Sequence, residues 1–166
     1  MTIFFGEIET ELDAKNRLAI PASFREAVLP DDGPNWIVIP GLENGGRCLW
    51  LYPDRLFTRL QQELLKPSAF PTEQATMFRM FFARAKKVIS DAQGRIIIPE
   101  QTLEWAKLGD KITLIGNYEH LEAWPTADWQ RRVESEYPTY GARVQEAGQK
   151  LRAASSNQKL QAVGSS

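Results

Sequence analysis

The chain has few of the residues from which catalytic and metal sites are built. Its 166 residues include one histidine, His120, and one cysteine, Cys48. A single cysteine excludes an internal disulfide, which fits a reducing, cytoplasmic setting. His120 has no second ligand at the spacing of a zinc site, and the sequence has no Gly-rich phosphate loop, nucleophile elbow or Ser/His/Asp grouping. We therefore expect no enzymatic activity, no metal and no cofactor.

Long apolar runs and an excess of positive charge are also missing. No run approaches the roughly 20 residues that a membrane helix needs, and the N-terminus lacks the basic region and cleavage site of a secretory signal. The formal net charge is −1 and the pI about 5.9, so the bulk basicity of most DNA-binding domains is absent. Any nucleic-acid binding must therefore depend on cations concentrated on one face.

The sequence does contain an internal repeat. Residues 13–21, DAKNRLAIP, match residues 91–99, DAQGRIIIP, with Asp, Ala, Arg, Ile and Pro at identical spacing. A second echo follows in each copy, LYPD at 51–54 and AWPT at 123–126. Because a fixed internal spacing indicates a repeated structural unit, we interpret the chain as two copies of one module.

Each copy has the pattern of a strand, a turn, a strand, a helix, two strands and a helix. Alternating polar and apolar residues predict the half-buried first strand, Asp and Asn favour the turn, and a proline opens each helix. The predicted strands are 7–12, 17–20, 36–39, 47–52, 86–90, 96–98, 112–115 and 119–124. The predicted helices are 22–29, one from Pro53, 72–83, 99–107 and 125–137.

Neither copy is large enough to be stable alone. We therefore predict an α+β fold, mainly β with helices, in which two pseudo-symmetric βαβ-type halves share one core. We expect a first repeat at 1–68, a connecting helix at 69–83, a second repeat at 84–137 and a weakly helical or disordered tail at 138–166. The five tryptophans are expected to pack rather than to stack on bases. For Phe78, Phe81 and Phe82 we leave open a core position or a subunit interface.

The paired Asp-x-x-x-Arg motifs, each followed by three mostly apolar residues and proline, resemble the MraZ family. Gly6-Glu7 before the first motif and the segments at 51–53 and 122–124 add to the resemblance, which covers residues 3–137. It implies a tandem version of the swapped-hairpin barrel of the AbrB and SpoVT regulators (the SpoVT-AbrB domain). It also implies a transcriptional regulator that binds direct repeats in the promoter of the bacterial division and cell-wall gene cluster, as a ring of eight or more subunits.

The resemblance assigns DNA contact to the two turns. The predicted DNA-contacting residues are Arg17, Arg95, Lys15, Gln93, Arg84, Lys86 and Lys87. The predicted turn-forming residues are Asp13, Asn16, Asp91 and Gly94. The first turn has Asn16 where the family has glycine, but asparagine tolerates the left-handed region better than other non-glycine residues.

Each assignment has a simpler alternative. An arginine that leaves a tight turn can bind a phosphate or guanine in a bidentate manner, or it can pair with the aspartate four residues earlier; both can hold together. Lys15 and Gln93 are either DNA contacts or solvated turn residues. The basic run at 84–87 is either a secondary contact or a solvated strand face.

The leading hypothesis is a sequence-specific regulator with double-stranded DNA and further copies of itself as partners, located in the cytoplasm at the nucleoid and not in a membrane. Two arginine turns per subunit give low affinity, but a ring that contacts successive repeats can raise avidity by about 10²–10⁴. The alternative is a non-enzymatic oligomeric protein-interaction module that retains the barrel. A salt titration separates them, because DNA binding weakens steeply as salt rises.

Overall fold

The computed structural model describes residues 1–41, 48–64 and 72–163, except for the side chains of residues 64, 72–77 and 157–163. The predicted start of the fourth strand at residue 47 and the predicted boundary between residues 68 and 69 lie outside these ranges. The chain divides into two compact units, the first being Met1–Trp129 and the second beginning at Gln130. Among the described residues, no helix is long and apolar enough to span a bilayer.

The elements follow the predicted order. The strands are β1 Glu7–Glu11, β2 Arg17–Ala19, β3 Trp36–Pro40, β4 Leu49–Pro53, β5 Lys86–Val88, β6 Arg95–Ile97, β7 Lys111–Asn117 and β8 His120–Pro125. The helices are α1 Ala22–Ala27, α2 Asp54–Leu64, α3 Thr72–Arg84, α4 Glu100–Ala106 and α5 Thr126–Val163, with a 3-10 turn at Pro30–Asp32. Pro21 and Pro99 directly precede α1 and α4, as expected for a residue whose missing N–H costs nothing at a helix start.

The sheets show that the two copies exchange strands. Six strands form one sheet in the order β1-β7-β8-β4-β3-β5, and β2 pairs with β6 in a second, two-stranded sheet. The first strand of each copy therefore pairs with the third strand of the other copy, and β4 and β8 pair at the centre. Exchanging the two copies leaves this order unchanged, so the predicted pseudo-symmetric α+β fold is confirmed.

One hydrophobic core belongs to both copies. Side chains from the two-stranded sheet, among them Leu18 and Ile96, pack with Leu51, Leu114 and other side chains of the six-stranded sheet, and all four are fully buried. The strands of the small sheet are only three residues long, so they could not be stable without this shared core. The prediction that neither copy folds alone has its physical basis here.

The aromatic residues are divided between core and surface. Trp36 and Trp124 are buried, as packing residues should be, whereas the other three tryptophans are partly exposed. Phe81 packs on a second, smaller cluster that includes Phe57, while Phe82 is 39% exposed. Phe81 therefore packs against the protein, whereas Phe82 is partly at the surface although its ring lies beside those of Phe57 and Phe81.

The C-terminal helix is longer than predicted. We expected it to end at Tyr137 and to be followed by a weakly helical or disordered tail, but α5 continues through Pro138 to Val163. The tail was set apart because it is rich in alanine, glutamine, serine and lysine and has few large apolar residues, and the helix that runs into it also contains Pro138. A helix can nevertheless continue past a proline at the loss of one hydrogen bond. Ion pairs one turn apart, Arg132 with Glu136 and Lys150 with Glu146, add support on either side.

Candidate nucleic-acid interface

The first turn, residues 13–17, is organised around one carboxylate. Asp13 Oδ1 accepts hydrogen bonds from the backbone N–H groups of Lys15 and Arg17, both at 2.9 Å. Its Oδ2 accepts from Arg17 Nε at 2.6 Å. Asn16 has a φ of 59°, in the left-handed region that asparagine tolerates. Asp13 thus closes the turn and fixes the direction of the arginine side chain that leaves it.

The second turn, residues 91–95, repeats this geometry. Asp91 Oδ1 accepts from the backbone N–H groups of Gln93 and Arg95 at 2.9 Å, and Oδ2 accepts from Arg95 Nε at 2.7 Å. Gly94 has a φ of 76°. Gln93 Oε1 additionally accepts from Arg95 Nη2 at 2.9 Å. Each arginine is therefore paired with its aspartate through Nε, and each guanidinium retains further N–H groups. DNA contact by the two arginines stays a prediction.

The two carboxylates are held in the charged form. Hydrogen bonds from the backbone N–H groups of Arg17 and Arg95 are the main cause that lowers the pKa of Asp13 and Asp91 below the ordinary aspartate value, and the arginine side chains add to the effect. Donors that bind the ionised form favour it. Both carboxylates therefore stay ionised at a pH above the ordinary aspartate pKa, and the ionised form is the one that accepts these hydrogen bonds.

The pairing of β2 with β6 places both arginines on one surface. Arg17 lies opposite Ile97, and Ala19 lies opposite Arg95. In both strands the middle residue is fully buried, so these four flanking residues share the outer face because side chains alternate along a strand. Arg17 and Arg95 are diagonal neighbours, a position at which the bases of two side chains are about 7–8 Å apart. Their side chains are 30% and 34% exposed.

The two copies are also joined at the turns. Ile20 N–H donates to the Gly94 carbonyl at 3.0 Å, and Ile98 N–H donates to the Asn16 carbonyl at 2.9 Å. Each turn is thus hydrogen-bonded to the strand of the opposite copy. The exposed face formed by Arg17, Ala19, Arg95 and Ile97, together with the two turns, is called the turn face below.

The remaining predicted contacts are placed differently. Lys15 and Gln93 are exposed at equivalent positions of the two turns. Arg84 lies over the Trp105 ring, with its guanidinium carbon 3.5 Å from the ring centroid. Lys87 Nζ is 2.7 Å from Asp54 Oδ2, and Lys86 is exposed on β5. Arg84 and Lys87 therefore have partners within the protein, and a DNA role for the basic run stays a prediction.

One further arginine, which was not predicted from the sequence, packs on the second turn. Arg25 of α1 lies across Gly94: a Cβ built on that glycine would be 2.3 Å from Arg25 Cδ and 2.4 Å from its Nε. Arg25 Nε donates to the Ile20 carbonyl at 3.0 Å. The repeat carried a signal, because the equivalent position in the second copy holds a leucine, Leu103. The two copies therefore differ in side-chain chemistry at this helix position.

Other chemistry is not assembled around the turns. In the ranges that the structure covers, no three His, Cys, Asp or Glu side chains lie close enough together to hold a metal ion. His120 is buried and stacks on Tyr52, with ring centroids 4.8 Å apart. Cys48 is fully buried, as expected of a small apolar side chain.

Fold and site together define a class: a tandem, strand-swapped module that presents two Asp-oriented arginine turns on one face. The family model described as "MraZ protein, putative antitoxin-like" matches residues 3–80 and 81–140. This chain belongs to the MraZ family.

Proteins of known name support the assignment. The chain is 36% identical over 130 residues to the transcriptional regulator MraZ of Desulforamulus reducens, covering 78% of this chain and 86% of that protein. It is 34% identical to the transcriptional regulator MraZ of Clostridium acetobutylicum, over 80% and 89% of the two chains. The Clostridium tetani protein of the same name is 30% identical over 88% and 99%. The relatives therefore match nearly their full lengths, and they are transcription regulators.

Proposed function

We propose that this transcription regulator binds promoter DNA directly through the turn face, at short direct repeats upstream of the bacterial division and cell-wall genes. The observation that carries the proposal is the pair of arginines on the outer face of the β2–β6 sheet. Each is held by an aspartate through Nε and is about one third exposed. An arginine oriented in this way keeps its Nη groups for phosphate oxygens or for the O6 and N7 acceptors of guanine.

The two aspartates are acidic residues on a surface that is proposed to bind an anion, and their hydrogen bonds explain how this is possible. Each accepts two backbone hydrogen bonds and one from arginine, so its charge is directed into its own turn. The oxygens are thereby engaged by donors of the protein rather than exposed toward a phosphate. Preorganising the arginine also reduces the side-chain entropy that is lost when DNA binds.

Oligomerisation would allow a protein without net positive charge to bind DNA tightly. With a formal net charge of −1, one subunit offers a small local cationic patch rather than a basic surface. A ring of subunits that contacts successive repeats converts weak single contacts into avid binding. The proposal therefore includes a homo-oligomer of eight or more copies and a regulator located at the nucleoid in the cytoplasm.

The test removes the arginines without touching the aspartates. The bound sequence is first selected from random duplexes, and affinity is then measured by fluorescence anisotropy for Arg17→Ala, Arg95→Ala and wild type. Each substitution should weaken binding by about 1–3 kcal/mol per bound subunit, which is roughly 5–150-fold. Arg152→Ala on α5 removes the same charge and serves as the control, with binding expected to remain at the wild-type level.

Oligomer size is measured on the same samples by size-exclusion chromatography with light scattering. We expect a mass well above that of a dimer for every variant. Wild-type affinity in both turn variants would refute the proposal, and a change of oligomer size in them would assign the arginines a structural role. A wild-type protein that runs as a monomer would remove the avidity argument.

A further inference from the structure

A groove to which the proposed function assigns no role lies beside the second turn. Its volume is about 470 Å³, and its lining includes Arg25, Trp36, Ser90, Asp91 and Gly94. The groove therefore adjoins the second turn directly, and its lining combines apolar residues with two arginines, Arg25 and Arg55. Among the residues that the structure describes, no lysine or arginine of the second repeat lines the groove.

Arg25 is attached to the second turn by contacts along its side chain. Its Cδ, Nε and Cζ atoms pack over Gly94, where a Cβ would be 2.3–2.7 Å from them. Its Nε donates to the Ile20 carbonyl, and the Ile20 N–H donates in turn to the Gly94 carbonyl. The guanidinium is therefore fixed next to the residue that precedes Arg95, and Arg25 as a whole remains exposed.

The two Nη groups of Arg25 make no hydrogen bond within the described part of the protein. Nε makes its hydrogen bond to Ile20, whereas the structure gives the Nη atoms no hydrogen bond or ion pair with the described residues. A guanidinium has five N–H donors and a permanent positive charge. Four donors are thus available at the groove, next to an arginine proposed to bind DNA.

The two repeats make this placement specific. Each turn has one arginine from its own β-hairpin, but only the first has a second cation, Lys15, whose equivalent in the second turn is the neutral Gln93. In α1, Phe24 and Arg25 donate their N–H groups to the Pro21 carbonyl, and in α4 Thr102 and Leu103 donate theirs to Pro99. The helix positions of Arg25 and Leu103 are therefore equivalent, but Leu103 is a buried core residue.

We propose that Arg25 is the second cation of the second turn and that its Nη groups bind a phosphate of the DNA backbone at the groove. Each turn then carries two positive groups, Lys15 with Arg17 and Arg25 with Arg95. The first pair comes from one repeat, whereas the second pair is assembled across both. This inference rests on the proposed function, since its ligand is the phosphodiester of the same duplex.

The experiment measures the salt dependence of DNA binding by the full-length protein. Each neutralised phosphate contributes about 0.9 to the slope of log affinity against log salt. Arg25→Gln removes the charge but keeps an N–H donor for the Ile20 carbonyl, so the slope should fall by about 0.9 per bound subunit. Arg25→Lys keeps the charge, and the slope should stay at the wild-type value. Arg152→Gln is the charge-matched control.

Thermal unfolding of the same variants separates a contact from a structural clamp. An unchanged slope in Arg25→Gln, with or without a lower unfolding temperature, would overturn the inference. Should Arg25→Gln fail to fold, Arg25→Met is the second neutral variant: a slope lower by about 0.9 per bound subunit supports the inference, and a wild-type slope opposes it. Failure of the proposed function is distinguishable, because Arg17→Ala and Arg95→Ala would then also bind like wild type.

Discussion

The two turns have the same skeleton but are built from different parts. In both, an aspartate accepts two backbone hydrogen bonds and one arginine hydrogen bond within 0.1 Å of the same distances. The residue with positive φ is Asn16 in the first turn and Gly94 in the second. Arg25 covers Gly94, whereas the equivalent helix position in the other copy holds Leu103. The comparison teaches that a repeat preserves the backbone of a site while its surroundings diverge.

The largest difference between the two turns should appear in the free energy of unfolding when each positive-φ residue is substituted. Gly94→Ala places a Cβ where the Arg25 side chain lies and imposes a left-handed conformation on alanine, so we expect a loss of about 1–3 kcal/mol in the free energy of unfolding. Asn16→Gly removes a mild conformational penalty and should change stability by less than about 1 kcal/mol in either direction. Urea denaturation measures both.

The contrast itself is the critical observation. Equal losses in Gly94→Ala and Asn16→Gly would show that the turns are equivalent and that Arg25 yields without cost. A double variant, Gly94→Ala with Arg25→Ala, is the matched control, because it removes the collision and retains the backbone strain.

A smaller effect concerns the residues two before each arginine. Lys15→Ala should lower the salt slope of DNA binding by about 0.9 per bound subunit, since a solvated lysine beside a duplex neutralises about one phosphate. Gln93→Ala should leave the slope unchanged, although it removes the 2.9 Å hydrogen bond to Arg95. Anisotropy titrations at several salt concentrations give both slopes. An equal change of the salt slope in the two variants would argue against the idea that Lys15 contributes a positive charge that Gln93 does not.

The smallest expected effect is the response to pH. The pKa of Asp13 and of Asp91 is lower in the folded protein than the ordinary aspartate value of 3.8. A lowered folded-state pKa gives stability that is present above the ordinary value and is lost as the pH falls through the folded one. We therefore expect turn geometry and DNA affinity to be constant between about pH 5 and 8, and the turns to open only below about pH 4.

Amide chemical shifts of Lys15 and Gln93 report this directly, because both N–H groups donate to the aspartates. Matched titration of the two amides is expected. A transition at one turn well above pH 4 would show that its carboxylate is not held as the structure indicates. Such a result would show that the two turns differ in their aspartate hydrogen bonds and not only in the residues around them.

The sequence predicted the local parts of this fold for identifiable reasons. Alternation over residues 7–11 gave β1, the prolines at 21 and 99 gave the starts of α1 and α4, and the aspartates gave the two turns. These features depend on neighbours within a few positions along the chain. The end of α5 was predicted wrongly, because the composition of the tail did not favour a helix beyond Tyr137, whereas α5 continues to Val163.

The candidate site was predictable only in part. Arg17 and Arg95 followed from the repeated motif, but a motif contains no information on which surface two distant turns share. Arg25 was not found, because its contact with Gly94 joins residues 69 positions apart. The partners of Arg84 and Lys87 were equally out of reach, since Trp105 and Asp54 lie on other elements.

By itself, the amino-acid sequence determined that there are two copies of one module, the order of their strands, helices and turns, and that each turn carries an arginine and an aspartate. Tertiary structure alone decided that β1 pairs with β7, that β2 pairs with β6, and that Arg25 covers the turn of the opposite copy. The physical reason is that hydrogen bonds and side-chain chemistry within a turn are local. Strand exchange, by contrast, is driven by burying apolar residues of both copies in one core, which depends on every element at once.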